Sequence, residues 1–474
     1  MRLETTPNYK LLILGPMLAV IAALVSAWLN QPYAIIATIG ITVLTATWWV
    51  TEALPIPVTS ILPIALFPLF GVLDHKTAAS SLGSHVILLL MGAFMLSKAV
   101  EKSGVHKRLA LNLISFFGEQ NPKKILLGLM ITSAVLSMWV SNTATTLMLL
   151  PIVLAIISGV DDKRFATVLL LGIAYAASVG GMGTPIGTPP NVIFSAVYQA
   201  NFNQEIGFIE WMKTATPVVV ISIPLMALWL GRNLSLTQKI NLPVVGQWQP
   251  SEKRVLAVFG LVALAWIFRS EPFGGWSGLL NFSSIGDSSI ALFGVVLMFL
   301  VPSGNHSKDM NADTNLENKS EKLLDWKTAT DIPWGMLLLF AGGICVAKAF
   351  QASGLSALLG DLLSGLSSWP VIMMILLICL SVTFLTEITS NTATTTLLMP
   401  VLAVAGIAAN IDPKLLMIPA AMSASCAFML PVATAPNAIV YGSDKFSITT
   451  MVKEGVVLNF MLAVIISAVV YLTV

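Results

Sequence analysis

Charged residues are scarce in this chain: they occupy 10% of its 474 positions, whereas a typical soluble domain carries about 25%. Hydrophobic residues make up 56% of the sequence. The apolar runs are continuous and lack the alternation of a membrane-barrel strand. Because lipid forces each segment to satisfy its own backbone polar groups, such runs predict transmembrane helices. We therefore expect an all-α, polytopic membrane protein.

Other absences exclude further classes of protein. A net charge of +2, without a basic patch, argues against nucleic acid as a partner. The three cysteines, Cys345, Cys379 and Cys426, lie within apolar runs, which indicates small buried side chains rather than a disulfide frame or a metal cluster. No HExxH motif, phosphate-binding loop ending in GK[ST] or evident Ser-His-Asp arrangement occurs. The sequence therefore predicts neither an enzyme nor an ATP-driven pump.

One polar motif, SNTATT, occurs twice inside apolar surroundings. Two further stretches recur in the same order and at a nearly constant offset, which predicts a duplicated unit. An odd number of membrane crossings in each unit would invert the second copy relative to the first. We expect units at 1–235 and 255–474, joined by a connector at 236–254. The matching stretches are 88–104 with 338–354, 141–146 with 390–395, and 188–191 with 434–437.

The polar motif of the first unit lies in the middle of a long uncharged segment, 125–158. As one helix this segment would be roughly 51 Å long, against a hydrocarbon core of about 30 Å, so we predict a break at Ser141-Asn142-Thr143. The Gly- and Pro-rich stretch 180–191 predicts a second break, of a kind tolerated where backbone lines a cavity. The shorter apolar run at 84–105 could begin a re-entrant hairpin or form an ordinary short span.

A broken helix offers binding chemistry at both new ends. Its carbonyl end suits a cation and its amide end suits an anion. Asn142 and Asn391 could each give a carbonyl oxygen to a cation and an NH₂ group to an anion. Ser137 and Thr386, one turn before each motif, could complete an oxygen shell for an alkali cation. Carbonyls and hydroxyls at the second breaks could add to it, from Gly187, Thr188, Ala433 and Thr434.

Several readings stay open at this stage. A single Ser-Asn-Thr could equally serve helix packing, but two copies at equivalent positions favour binding. No Lys or Arg lies close to either motif in sequence, so bound cations could supply the countercharge for an anion, or a distant basic residue could fold in. Glu52, at a Pro-rich segment end, is a candidate functional acid or a loop carboxylate. Glu387 could make a structural hydrogen bond or take a proton or cation role.

At these motifs the sequence resembles the divalent-anion:sodium symporter family of INDY-like dicarboxylate transporters. The resemblance covers essentially the whole chain. It implies a homodimer in which each protomer has a scaffold and a mobile transport domain with two re-entrant hairpins, working by an elevator motion. We assign the scaffold to about 11–72 and 255–301, a polar loop to 303–331, and transport elements to about 84–231 and 332–474. The motifs are WWVTEALPIPVTSILP (48–63), both SNT copies, GTPIGTPPN (183–191) and ATAPN (433–437).

The resemblance also implies site residues. The first sodium site would use Ser137, Ser141, Asn142 and Gly187, and the second Thr386, Thr389, Asn391 and Ala433. The dicarboxylate would contact Ser141, Asn142, Thr143, Thr188, Ser390, Asn391, Thr392, Thr434 and Ala435. Ala435 stands where relatives could carry proline.

The expected function is sodium-coupled symport of a C4-dicarboxylate, such as succinate, fumarate or malate, across a bacterial inner membrane. Na⁺ is the expected coupling ion, with no organic cofactor, and lipid surrounds the helices. A sodium-coupled citrate or sulfate carrier and a sodium-independent exchanger are alternatives, and an anion channel is an alternative of another class.

Overall fold

The computed structural model gives the fold for most of the chain. The stretch 235–245, which contains the first part of the expected connector at 236–254, and the stretch 305–320 of the expected polar loop lie outside the described residues. The structure describes residues 9–116, 121–158, 160, 162–234, 246–271, 273–282, 284–304, 321–363 and 369–474.

The elements described are helices, together with one isolated bridge between Pro302 and Lys322. Eight helical segments are long and apolar enough to span a membrane. This all-α architecture confirms the expected fold class. The helices are α1 (Tyr9–Trp28), α2 (Tyr33–Thr51), α3 (Ile56–Leu69), α4 (His75–Leu82), α5 (His85–Ser103), α6 (Val105–Phe116), α7 (Pro122–Ser137), α8 (Asn142–Ser158), α9 (Lys163–Gly181), α10 (Pro189–Phe202), α11 (Phe208–Leu230), α12 (Pro250–Ile267), α13 (Gly275–Leu279), α14 (Asp287–Leu300), α15 (Trp326–Thr330), α16 (Trp334–Ser353), α17 (Leu355–Leu363), α18 (Val371–Thr386), α19 (Asn391–Ala408), α20 (Lys414–Ser423), α21 (Ala435–Tyr441) and α22 (Ile448–Thr473).

Several hydroxyl side chains within the apolar helices donate to a carbonyl of their own helix. Thr38 Oγ1 donates to the carbonyl of Ala34 at 2.7 Å, and Thr45 Oγ1 donates to that of Ile41 at 2.8 Å. These bonds to the preceding turn let a helix carry polar residues in an apolar environment.

The sequence repeat is visible in local geometry. α5 and α16 both end at a glycine in the left-handed region, Gly104 with φ +74° and Gly354 with φ +84°, a conformation that costs glycine little. A serine just before each glycine accepts a 3.3 Å hydrogen bond from the first amide of the next helix, α6 or α17. Equivalent positions in the two halves therefore make the same bend.

The first hairpin consists of α7 and α8. α7 lies parallel to α9, because Gly172 faces Leu126 and Met130 while Gly180 touches the backbone of Ala134. The helix between them, α8, must therefore run back, so 122–158 form a hairpin with its tip at 138–141. Each arm, of 16 or 17 residues, is about 24–26 Å long and stops short of a full crossing.

The structure decides between a re-entrant hairpin and an ordinary short span for the apolar run at 84–105. That stretch is the continuous helix α5, so the ordinary span was the right alternative and the re-entrant hairpin lies further along the chain. The predicted break at Ser141 is confirmed, since α7 ends at Ser137 and α8 begins at Asn142.

The second hairpin consists of α18 and α19, with its tip at 387–390. α20 starts beside the end of α19, where Gly406 contacts Pro413. It then returns to the tip, where the carbonyl oxygen of Ala424 lies 3.1 Å from Thr386 Oγ1. The second half thus reproduces the hairpin and the returning helix of the first.

The two halves are inverted. α11 and α22 occupy equivalent places and run antiparallel: Thr473 contacts Thr214 at one end, and Glu454 binds Arg232 at the other. The first hairpin enters from the face where Arg164 also binds Glu454. The second enters from the opposite face, where Lys414 binds Glu210.

Small residues hold the halves together at equivalent places. Gly92 of α5 lies against Ala291 of α14, and Gly342 of α16 lies against the backbone of Ser60 in α3. Such close approach is the usual way in which membrane helices associate. These two crossings leave the hairpin tips facing one another in the middle of the molecule.

Candidate functional site

A cavity of about 790 Å³ lies between the two hairpin tips. It brings together residues that are about 250 positions apart in sequence, and it includes the second break of each half. Nearly all of the expected site residues line it: Ser141, Asn142, Thr143, Gly187, Thr188, Thr389, Ser390, Asn391, Thr392, Ala433, Thr434 and Ala435.

Ser137 and Thr386 are not lining residues; they lie directly behind the tips and are fully buried. Ser137 Oγ donates to Asn142 Oδ1 at 2.6 Å, and Thr386 Oγ1 donates to Asn391 Oδ1 at 2.5 Å. The two bonds fix the orientation of each amide. A carbonyl oxygen has two lone pairs, so each Oδ1 keeps one for a second partner.

Hydroxyls at the two tips, and one at the second break of the second half, also cap the helices that begin there. Ser141 Oγ accepts from the amide of Ala144 at 3.2 Å, Ser390 Oγ from Ala393 at 3.4 Å, and Thr434 Oγ1 from Asn437 at 3.2 Å. The sequence reasoning missed this capping role. The cavity therefore receives the N-terminal ends of helices from both halves, which favour an anion.

Oxygens of the first half converge on one small space beside Gly181. A β-carbon at Gly181 would lie 2.6 Å from Asn142 Oδ1 and 3.2 Å from the carbonyl oxygen of Gly187. A side-chain carbonyl and a backbone carbonyl thus face the same spot, with no side chain to fill it. Hard oxygen ligands of this kind suit Na⁺.

In the second half, the hydroxyl of Thr389 is already engaged within the hairpin. It donates to the carbonyl of Leu385 at 2.7 Å and lies 2.7 Å from Thr394 Oγ1. With its own proton used in this way, Thr389 Oγ1 accepts from Thr394, and one lone pair of its oxygen is left for a cation.

A basic residue reaches the cavity from a distant part of the chain. Lys98, on α5, lines the mouth, where its ammonium lies 3.1 Å from Glu101 and 3.3 Å from Asp331. Its charge is therefore already paired. Glu52 and Glu387 are also lining residues, so acidic residues outnumber basic ones around the cavity, and an entering dianion needs added positive charge.

Outside the spans, the hydrogen bond from Lys102 holds the pKa of Asp325 well below its usual range. Lys102 also lies 3.0 Å from Glu321. The mouth of the cavity is thus bordered by ion pairs that tie α5 to the segment before α16.

Glu387 is buried at the second tip and makes structural hydrogen bonds. Its carboxylate accepts from the three backbone amides of 428–430 at 2.8–3.1 Å and from Asn459 Nδ2 at 2.7 Å. This carboxylate holds the non-helical segment after α20. These bonds favour a structural role for Glu387 over a proton or cation role. In the first half, the equivalent position is occupied by Met138.

Three comparisons with known proteins agree with this architecture. A protein-family profile described as "Citrate transporter" matches residues 46–413. The chain is 39% identical to the sodium-dependent dicarboxylate transporters SdcS of Staphylococcus saprophyticus and Staphylococcus aureus, over 97% of its own length and 90% of theirs.

Among solved structures, the crystal structure of the Alcanivorax borkumensis YdaH transporter, described as having an unusual topology, superposes with a TM-score of 0.57. The match covers 84% of this chain and 89% of that one, at 13% sequence identity. This likeness concerns the fold alone.

Proposed function

The chain belongs to the divalent-anion:sodium symporter family, and we propose that it carries C4-dicarboxylates such as succinate, fumarate or malate together with Na⁺. Membership makes it a multi-pass transporter of the inner membrane rather than an enzyme. The observation that carries the proposal is that one cavity receives a hairpin tip from each of the two inverted halves.

The cavity suits a linear dianion. The N-terminal ends of α8 and α19 reach it from opposite halves, so each can take one carboxylate through backbone amides and the NH₂ group of Asn142 or Asn391. Hydroxyls of Thr143, Thr188, Thr392 and Thr434 lie alongside, with Ser141, Ser390 and the amide of Ala435. Unlike proline, Ala435 keeps a backbone donor at the start of α21.

Two Na⁺ ions would neutralise such a dianion. We assign the first to Ser137, Ser141, Asn142 and Gly187, and the second to Thr386, Thr389, Asn391 and Ala433. Because the acidic lining repels an anion while favouring cations, binding of Na⁺ would precede and permit binding of the substrate. This order couples the two fluxes.

The charges of the two faces suggest an orientation. One face, here called the basic face, carries Lys102, Lys107, Arg108, Lys123, Lys124, Lys163, Arg164, Arg232, Lys253 and Arg254. The opposite face carries Lys76, Lys213, Arg269, Lys348 and Lys414 among the described residues. Since cytoplasmic loops are enriched in Lys and Arg, we place the basic face in the cytoplasm. The mouth of the cavity, at Lys98 and Asp331, then opens inward.

Packing suggests which helices move. α5 packs on α14 and α16 on α3, whereas the hairpins pack mainly with α9, α10, α11, α20 and α22 and also contact α6 and α17. We therefore assign 122–234 and 371–474 to the transport domain and place α5 and α16 in the scaffold, which shifts the boundaries expected at 84 and 332. An elevator motion of this transport domain, within a homodimer surrounded by lipid, completes the proposal.

Citrate is the second candidate, because the matching family profile carries that description. A third carboxylate would need a further countercharge, and the ammonium of Lys98 is already paired with two carboxylates. The geometry therefore favours a dianion over a trianion.

Competition for uptake tests the choice of substrate. Purified protein in proteoliposomes with an inward Na⁺ gradient should accumulate labelled succinate. An excess of unlabelled fumarate or malate should abolish this uptake, while equal citrate or sulfate should leave most of it. Stronger competition by citrate or sulfate than by fumarate would overturn the assignment of substrate.

A further inference from the structure

Asn191 and Asn437 end the two matched Thr-x-Pro-Asn motifs, and both are fully buried. Each lies in the first turn of the helix that follows the second break of its half, α10 or α21. Neither side chain lines the cavity. Their burial and their equivalent positions call for a common explanation.

The amide of Asn191 joins two ends of the first non-helical segment. Its Nδ2 donates to the carbonyl of Gly181, the last residue of α9, at 3.0 Å and to the carbonyl of Thr184 at 2.8 Å. These two bonds use both of its donors. They hold the segment that carries Gly187.

The amide of Asn437 makes the same contacts in the second half. Its Nδ2 donates to the carbonyl of Ala427 at 2.8 Å and to that of Leu430 at 3.0 Å. Asn437, Ala427 and Leu430 each lie 246 positions after Asn191, Gly181 and Thr184. Each half therefore contains the same pair of hydrogen bonds from an asparagine Nδ2 to two backbone carbonyls, here called the clamp. The residues that supply the carbonyls differ in type between the halves.

The Oδ1 atoms of Asn191 and Asn437 indicate why an asparagine is present at each position. Both Oδ1 atoms are buried without a hydrogen-bond partner among the residues that the structure describes. A buried acceptor without a partner is costly, so a hydrophobic side chain would be the easier choice for packing alone. What each asparagine contributes is its pair of donors to the loop carbonyls.

The clamped segments lead directly to the expected cation ligands. Gly187 follows Thr184 by three residues, and Ala433 follows Leu430 by three residues. The carbonyl of Gly187 faces the space that Asn142 Oδ1 also faces. If the clamp is lost, the segment can relax and the carbonyl no longer holds its position.

We propose that Asn191 and Asn437 are positioning residues for the two cation sites, each fixing the backbone carbonyl that its half supplies to Na⁺. The proposal rests on the proposed sodium coupling. It predicts that the two residues act on the affinity for Na⁺ and not on the anion, because neither lines the cavity.

The test compares Asn191→Ala and Asn437→Ala with Asn201→Ala. Asn201 is the control for the Na⁺ affinity: it also lies on α10, its Nδ2 donates to the carbonyl of Val197 at 2.8 Å within a regular helix, and its Oδ1 accepts from Gln351 of α16 at 3.0 Å, so its bonds involve neither expected cation site. Labelled succinate uptake is measured in proteoliposomes over a range of Na⁺, and the melting temperature of each protein in detergent is measured in K⁺ and in Na⁺ buffer.

We expect the half-saturating Na⁺ concentration to rise about tenfold in each clamp variant, with uptake at saturating Na⁺ largely kept and the shift in melting temperature with Na⁺ reduced. Asn201→Ala should keep the half-saturating Na⁺ concentration of the unsubstituted protein. If an alanine variant fails to fold, Asn191→Ser or Asn437→Ser, which keeps one donor, should show a smaller shift of the same kind.

A lower melting temperature in K⁺ with an unchanged half-saturating Na⁺ concentration would reduce the residues to a structural role and overturn the proposal. Absence of any Na⁺ dependence in the unsubstituted protein would instead overturn the proposed function on which the inference rests.

Discussion

Asn142→Ala and Asn391→Ala should each reduce Na⁺-driven succinate uptake by roughly 10- to 150-fold. Each asparagine offers an oxygen to a cation and an NH₂ group to the anion, so its loss affects both partners. Hydrogen bonds to charged groups contribute about 1.5–3 kcal/mol, and each 1.4 kcal/mol corresponds to about a factor of ten. Initial rates of labelled succinate uptake in proteoliposomes measure the effect.

The folded state should survive both substitutions, because neighbouring bonds remain. Ser141 and Ser390 still cap α8 and α19. Ser137 and Thr386 lose an acceptor, although the Thr386 hydroxyl can then donate to the carbonyl of Ala424, which lies 3.1 Å away. Size-exclusion profiles and melting temperatures in K⁺ buffer serve as the control, together with Asn201→Ala. Normal uptake by either variant would remove that asparagine from the site.

Joining Lys213 to Glu271 by paired cysteines should stop transport almost completely. Lys213 lies on α11, in the proposed transport domain, and Glu271 follows α12, in the proposed scaffold. Their side chains form an ion pair, and both are well exposed at the face opposite the basic face. A covalent link between them would prevent the transport domain from moving relative to the scaffold.

The measurement uses Lys213→Cys with Glu271→Cys in the same chain, joined by a short thiol-reactive crosslinker that contains a reducible disulfide, because the ion pair of two long side chains spans more than a direct disulfide can. We expect uptake to fall to background on crosslinking and to return with a reductant, and each single variant to be insensitive to the crosslinker. Cys345, Cys379 and Cys426 are buried, so they should not interfere. Unchanged flux in the fully crosslinked protein would favour a channel over an elevator.

The sequence predicted those features that depend on residue type and order. Two SNT motifs at equivalent repeat positions indicated two helix breaks, and the structure ends α7 and α18 at those places. The residue types of the same motifs also predicted that Asn142 and Asn391 could offer a carbonyl oxygen to a cation and an NH₂ group to an anion. Resemblance to the symporter family, which the comparisons confirm, added the assignment of sodium and dicarboxylate.

Directions of helices were harder to predict, because hydropathy does not record them. A run of apolar residues has the same hydropathy pattern whether its helix crosses the membrane or turns back. The hairpin at 122–158 is defined by packing, where Gly172 and Gly180 let α9 approach α7. The shorter run at 84–105 suggested a hairpin by length alone, and length proved insufficient.

Long-range partners also escaped prediction. Lys98 reaches the cavity only because α5 lies beside the second half, where Asp331 binds it. The phenol of Tyr175 donates to the carbonyl of Phe428 at 2.6 Å, across 253 positions. In the sequence, Asn191 and Asn437 are only the last residues of two matched motifs. Their hydrogen bonds to loop carbonyls depend on the folded structure and could not be predicted from the motifs.

The central claim is that the cavity couples a dicarboxylate to Na⁺, and a gradient experiment tests it most directly. Proteoliposomes are loaded with K⁺ and diluted into Na⁺, K⁺ or choline at equal ionic strength, and labelled succinate is followed over time. We predict transient accumulation above the external concentration in Na⁺ alone, and its collapse when an ionophore dissipates the Na⁺ gradient. Equal uptake in Na⁺, K⁺ and choline would contradict sodium symport.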